Sequence, residues 1–239
     1  MTPLVPGYAG LLERITLSNG AHATREQGMC VMEAIAYIAG RDHSDHPPCA
    51  SRVITSFLVS WNDALPDNAT RDRLLKPLVP LVVDTAGSPA LELRRAYMCM
   101  DWLLRECAPT FLALTPDLVK HADALRGGAE VVDLKTIKQI LPQAREAQKA
   151  AAAAWAAARA AAGAAARDAA WAAARDAARA AARDAARDAA WDAAWAAARA
   201  AAGDAAGDAA RAALAPTVKA LQKSALLLLD RMIEVGKEA

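Results

Sequence analysis

The residues best equipped for chemistry crowd into one stretch, "MCVMEAIAYIAGRDHSDHPPCAS". Cys30 and Glu33 stand three apart, the spacing that places two side chains on one helix face. His43, Asp45, His46 and Cys49 follow in a proline-rich loop that can fold back over that face. Zinc takes Cys and His in tetrahedral sets, and Cys30, His46 and Cys49 with either His43 or Glu33 would supply four donors. Zinc is therefore the cofactor this cluster suggests, although its spacing matches no strong zinc-finger pattern. The plainer reading makes Cys30 a buried apolar thiol and His46 a residue that hydrogen-bonds the turn. A nucleophilic cysteine, Cys30 or Cys49 beside His46, would need an electropositive and partly exposed setting. In "SWNDALPDNATRD", Asp63, Asp67 and Asp72 sit beside Asn and Pro, as in a capped, solvated turn. There is no glycine-rich phosphate loop, and no catalytic signature stands out.

The elements that must carry these residues read as helices. "TREQ" at Thr24 forms a capping box with Gln27 and predicts a helix ending at Gly40. Ser51 opens a second helix, with Ile54, Phe57, Leu58, Trp61 and Leu65 at helical spacing. Asn68 caps a third, which Pro77 and Pro80 should kink or end. Ser88-Pro89 pairs a cap with proline at the first helical position. The helix it opens carries an apolar stripe of Leu93, Ala96, Tyr97, Met100, Leu103, Leu104 and Cys107. Thr115-Pro116 repeats the device, Gly127-Gly128 ends that helix, and a short one covers roughly Asp133 to Leu141. No segment alternates with period two for long enough to require a sheet. The expected architecture is all-α: a helical domain over 1–142, an Ala-rich helix over 143–215, and a C-terminal amphipathic helix over 216–239 opened by Pro216.

The middle part is a repeat. From Trp155 to Arg211 every fourth residue is Trp, Arg or Gly, Asp often follows it, and nearly everything else is Ala. Ala and Arg are strong helix formers. Four residues turn an α-helix by about 400°, so the row drifts about 40° per tetrad and winds around the helix. That excludes a heptad coiled coil, whose repeat is 3.5 residues. Unbroken, the segment would span about 110 Å. Gly163, Gly203, Gly207 and Pro216 are the expected weak points, with a hairpin at Pro216. Trp155, Trp171, Trp191 and Trp195 hold most of the tract's capacity for apolar contact and are the expected partner-binding anchors. Arg175, Arg179, Arg183 and Arg187 lie among them. A strict four-residue period is also what a slipping twelve-nucleotide DNA repeat encodes, so repeat number need not carry function.

Composition excludes several classes. The 239 residues carry 28 Lys and Arg against 27 Asp and Glu, a net charge of +1. The arginines of the repeat are interleaved with Asp176, Asp184, Asp188 and Asp192, whereas a nucleic-acid footprint is single-signed. Nucleic acid is not an expected partner. No apolar run approaches the roughly 20 residues of a membrane span. "MTPLVPGYAG" lacks the basic and apolar regions of a signal peptide, so a cytoplasmic protein with four free thiols is expected.

At "MCVMEAIAYIAG…SDHPPC…SFLVSWNDALP…LLKPLVPLVV…DWLLRECAPTFL" the chain resembles a recurring set of uncharacterised actinobacterial and actinophage proteins. These combine a helical N-terminal region with an Ala-rich tail of variable repeat number. The resemblance covers most of residues 28 to 112 and, loosely, the tail. It transfers no catalytic residue and implies a cytoplasmic accessory or phage–host role. Together these features point to a non-enzymatic interaction protein that binds a protein partner or itself through the Ala-rich helix. The alternative is a metal-dependent enzyme or zinc-stabilised regulator built on Cys30, His46 and Cys49.

Overall fold

The computed structural model describes the backbone of residues 3–162 and 207–238 and the side chains of residues 3–154 and 213–238. Among these residues every regular element is helical, and extended pairing is confined to one bridge between Leu17 and Met29. In chain order the helices are α1 (Tyr8–Arg14), α2 (Val31–Ile38), α3 (Arg52–Ala64), α4 (Asn68–Leu75), α5 (Val79–Val82), α6 (Pro89–Trp102), α7 (Ala108–Leu112), α8 (Val119–Arg126), α9 (Leu134–Ala162) and α10 (Gly207–Lys237). Short tighter turns over Lys76–Leu78 and Pro116–Leu118 lead into α5 and α8, and a wider π turn over Leu103–Cys107 joins α6 to α7. The chain forms two compact units, Met1–Ala96 with Leu229–Ala239, and Tyr97–Leu228.

In the first unit α2 is the central element. Seven of its eight residues are buried, and it packs against α3 and α5. Ser51 caps α3 as its sequence suggests, its hydroxyl accepting from the Ile54 N–H at 3.3 Å. Asp67 rather than Asn68 caps α4, its carboxylate accepting from the Thr70 N–H at 2.7 Å. The apolar stripe expected along α6 is only partly buried, since Leu93 is half exposed. Its opposite side carries Arg95, the largest fully buried side chain among the described residues. Arg95 donates to the carbonyls of Thr85 and Met232 and to Glu92. The other Glu92 oxygen accepts from the Ser51 hydroxyl and the Val53 N–H. A buried charge persists when it is paired and hydrogen-bonded, and this network ties α3, α6 and the end of α10 together. At Gly236 a Cβ would collide with the Arg95 guanidinium, so a larger residue there would have to displace it.

Two prolines behave differently from expectation. Pro142 does not end the helix before it, and Pro216 does not open one; each lies inside a long helix, α9 or α10. Proline inside a helix removes a hydrogen bond and costs about 3 kcal/mol. Burial on both sides of Pro142 offsets that cost in the second unit. Ile137, Ile140, Ala144, Ala147 and Ala151, each at most 5% exposed, join one core with Leu104, Leu112, Ala122 and Leu125. The C-terminal amphipathic stripe is present, with Leu221, Ala225, Leu228, Leu229 and Met232 buried, but Val218 is exposed and lies outside it. The expected hairpin at Pro216 is thus replaced by continuous helix from Gly207.

Candidate functional site

The helix expected from Thr24 begins only at Val31, and the reason builds the site. Gly28 has φ +142°, a conformation L side chains rarely adopt, and a Cβ there would lie 2.7 Å from the His22 ring. The backbone therefore leaves helical geometry before Met29. Cys30 becomes the N-cap and Glu33 the third helical residue of a capping box, with Cys in the place usually held by Ser or Thr. Glu33 takes the Cys30 N–H on Oε2 at 2.7 Å.

Glu33, 1% exposed, is the hub. Its Oε1 accepts the His22 N–H at 2.6 Å, and its Oε2 faces His22 Nδ1 at 2.8 Å. Burial pushes the carboxyl up, but the backbone N–H groups of His22 and Cys30 and the His22 ring outweigh it, holding Glu33 below the usual carboxylate range. A carboxylate at Oε2 requires Nδ1 to carry a proton, which makes Nε2 of the neutral ring an acceptor. Ser18 Oγ stands 3.0 Å from that Nε2. His43 reaches the hub from the other side. Its Nε2 donates to the His22 carbonyl at 2.9 Å and lies 3.6 Å from Glu33 Oε1, while its buried Nδ1 has no hydrogen-bond partner.

The neighbouring loop is held by three side chains. Asn62, fully buried, donates to the Ser18 carbonyl and accepts from the Val31 N–H. Asp63 accepts from the Gly20 N–H and Asp72 from the Leu17 N–H, each at 2.7 Å. Asp63 and Asp72 are therefore ties to the 17–20 loop and not members of a solvated turn. Asp67 is the cap of α4.

Of the five residues expected to hold zinc, the structure places Glu33 beside both Cys30 and His43 and leaves the set incomplete. His46 is exposed and pairs with Asp45 at 2.9 Å. Cys49 is buried, with its carbonyl taken by the Ala86 N–H. Among the described residues no group of three or more His, Cys, Asp and Glu is arranged to hold a metal ion. The nucleophilic-cysteine reading also loses its support. Burial pushes the Cys30 thiol up to about 12 and raises Cys49 as well, so both stay protonated. None of the four cysteines is in a disulfide.

Sequence reasoning missed Ser18 and His22. The signal was present only as a serine and a histidine four apart beside a glycine, with no helical or strand period to place them on one face. Their partner Glu33 was recognised, but as a metal ligand.

Trp155 lies in α9, but its side chain is outside the described residues. Trp171, Trp191, Trp195, Arg175, Arg179, Arg183 and Arg187 lie outside them altogether. What is described of the Ala-rich stretch is its approach. Ala144, Ala147 and Ala151 are buried at helical spacing, and Ala150 and Ala154 pack partly against the same core.

No family model, curated protein or solved structure matches the chain. No helix among the described residues is long and apolar enough to cross a membrane.

Proposed function

We propose that the protein is a helical interaction protein whose Ala-rich segment is a packing arm, engaging a protein partner or a second copy of the chain. One observation carries this reading: the stretch leading into the repeat already uses alanine as its packing surface. Ala144, Ala147 and Ala151 are each at most 1% exposed in the core of the second unit. A methyl group lets a neighbouring helix approach closely and loses no side-chain entropy on burial. The repeat that follows is built mostly of the same residue. There the four tryptophans at 155, 171, 191 and 195 supply the large apolar groups that alanine lacks. A phage–host accessory role is the setting suggested by the resemblance over residues 28–112.

The test is sedimentation of the full chain over a concentration series, beside a chain with residues 163–206 removed. The reading expects concentration-dependent association, or association with an isolated partner, that is lost on deletion and weakened by Trp171→Ala and Trp195→Ala. A full chain and a deleted chain that both remain monomeric, and that bind the same partner equally, overturn it.

A further inference from the structure

We propose that Ser18 is a nucleophile activated by His22 and oriented through it by Glu33, forming a site for acyl transfer from small activated esters. The geometry is that of a hydroxyl, a base and a carboxylate in relay. Ser18 Oγ lies 3.0 Å from His22 Nε2, and His22 Nδ1 lies 2.8 Å from Glu33 Oε2. Both distances are within hydrogen-bond reach, the requirement for a base to take a nucleophile's proton. The carboxylate fixes the tautomer that leaves Nε2 free to act as base, and it would stabilise the imidazolium that forms. The Ser18 hydroxyl has one competing acceptor, the Met29 carbonyl, at the longer distance of 3.4 Å.

The surroundings hold this relay as a unit. Glu33 is immobilised by two backbone N–H groups. Asn62 anchors the Ser18 carbonyl, and the Ser18 N–H donates to the Met29 carbonyl at 2.9 Å. Gly28 packs so closely that a Cβ would stand 2.8 Å from His22 Nε2 and 3.0 Å from Ser18 Oγ. Neither side chain of the pair is closed off, since His22 is 14% exposed and Ser18 is half-buried.

The reaction balances without a cofactor. Ser18 Oγ bonds to the acyl carbon while its proton passes to His22 Nε2, and the alcohol departs with that proton. Water then attacks the acyl carbon, giving a proton to His22, and Ser18 leaves as the restored hydroxyl. The net change is ester and water to acid and alcohol. The N–H groups of Ser18, Gly20 and His22 are already engaged, so they cannot stabilise the oxyanion. Each such donor is worth about a hundredfold or more in rate. Without these donors both steps are slow, so only an ester with a good leaving group acylates Ser18 faster than the acyl-enzyme, whose leaving group is the serine oxygen, turns over.

The experiment treats the full chain with an alkyl fluorophosphonate, which forms an O–P bond at a nucleophilic serine and releases fluoride. Modified peptides are located by mass spectrometry. Ser18 should take up close to one equivalent, and His22→Gln should slow that labelling about a hundredfold, the scale of a general base. A burst of nitrophenol from p-nitrophenyl acetate, close to one equivalent and absent in Ser18→Ala, is the matching result for an ester. No label on Ser18 in folded protein, or labelling unchanged in folded His22→Gln, overturns the proposal. Should His22→Gln fail to fold, Ser18→Cys decides. The introduced thiol should react with iodoacetamide at least tenfold faster than it does in the urea-unfolded chain. An equal or slower rate overturns the proposal.

Discussion

The Glu33 hub and the alanine face of α9 solve the same problem, fixing a helix in place, by opposite means. At the start of α2, each contact names its residue: Glu33 takes two backbone N–H groups and one imidazole, and Asn62 bridges the Ser18 carbonyl and the Val31 N–H. Along α9, Ala144, Ala147 and Ala151 offer interchangeable methyl groups at helical spacing. The first arrangement is specific and brittle, because removing one partner strands several buried polar groups. The second is degenerate, so copying its unit many times leaves a helix that still has an alanine surface. A repeat can grow from an alanine face; it cannot grow from a hydrogen-bonded hub.

The largest effect that would test this contrast is Glu33→Ala. It leaves the N–H groups of His22 and Cys30 and the His22 ring without their acceptor, at about 1 to 3 kcal/mol for each buried group left unpaired. Urea unfolding of the full chain should show the transition of the first unit destabilised by about 4 kcal/mol. Glu33→Gln keeps one acceptor and should lose about half as much. A loss below about 1 kcal/mol for Glu33→Ala would mean that water replaces these bonds easily and that the hub is not brittle.

On the other side of the comparison, Ala147→Leu and Ala151→Leu enlarge side chains inside a packed core. Overpacking of this kind costs about 1 to 3 kcal/mol. The same measurement should therefore find a moderate destabilisation, now in the second unit. If either variant is as stable as the parent chain, the alanine face is looser than the burial of these methyls implies.

Acid provides a smaller, graded test of the hub. The folded pKa of Glu33 is depressed, so its contribution to stability is present above the usual value near 4.5 and is lost as pH falls through the depressed one. The thermal midpoint should fall below pH 4.5 by more in the parent chain than in Glu33→Gln, which has no carboxyl to protonate. Parallel acid limbs in the two proteins would place the acid sensitivity elsewhere. Asp67 and Asp133, exposed caps whose pKa values are lowered by Thr70 and Thr136, are present in both.

Much of the helical plan is legible in the sequence because caps and periodicity are local. Ser51, Ser88-Pro89, Gly40 and Gly127 mark boundaries that the structure retains. The failures came where distant contacts override local signals. Thr24 and Gln27 have capping-box spacing, but Gly28 bends the chain and a better box exists at Cys30 and Glu33. Pro142 and Pro216 are ordinarily breakers, yet burial on either side of Pro142 carries α9 through it. Arg95 falls on the polar side of its helix by periodicity, and only the Thr85 and Met232 carbonyls explain its burial. The site was half legible. Glu33 and His43 are singled out by the sequence, but as alternative zinc ligands, while His22 and Ser18 lie in a loop whose path is set by Gly28, Asn62, Asp63 and Asp72, which no local pattern encodes.

The smallest expected effect is also the sharpest control on the alanine face. Ala152 and Ala153 follow Ala151 in the same helix but are exposed. Ala152→Leu and Ala153→Leu change helix propensity little, because Leu is nearly as good a helix former as Ala. Surface substitutions of this kind ordinarily stay within about 0.5 kcal/mol. These two variants should therefore unfold with the parent chain, while Ala151→Leu, one and two residues away, does not. The comparison holds composition, helix and distance from the repeat constant and varies only the face. If all three leucines destabilise alike, the alanines act through helix propensity and local crowding, and the packing-arm reading loses its base. If only Ala151→Leu does so, the face is real, and its 3-and-4 spacing at 144, 147 and 151 contrasts with the strict four of the repeat that follows.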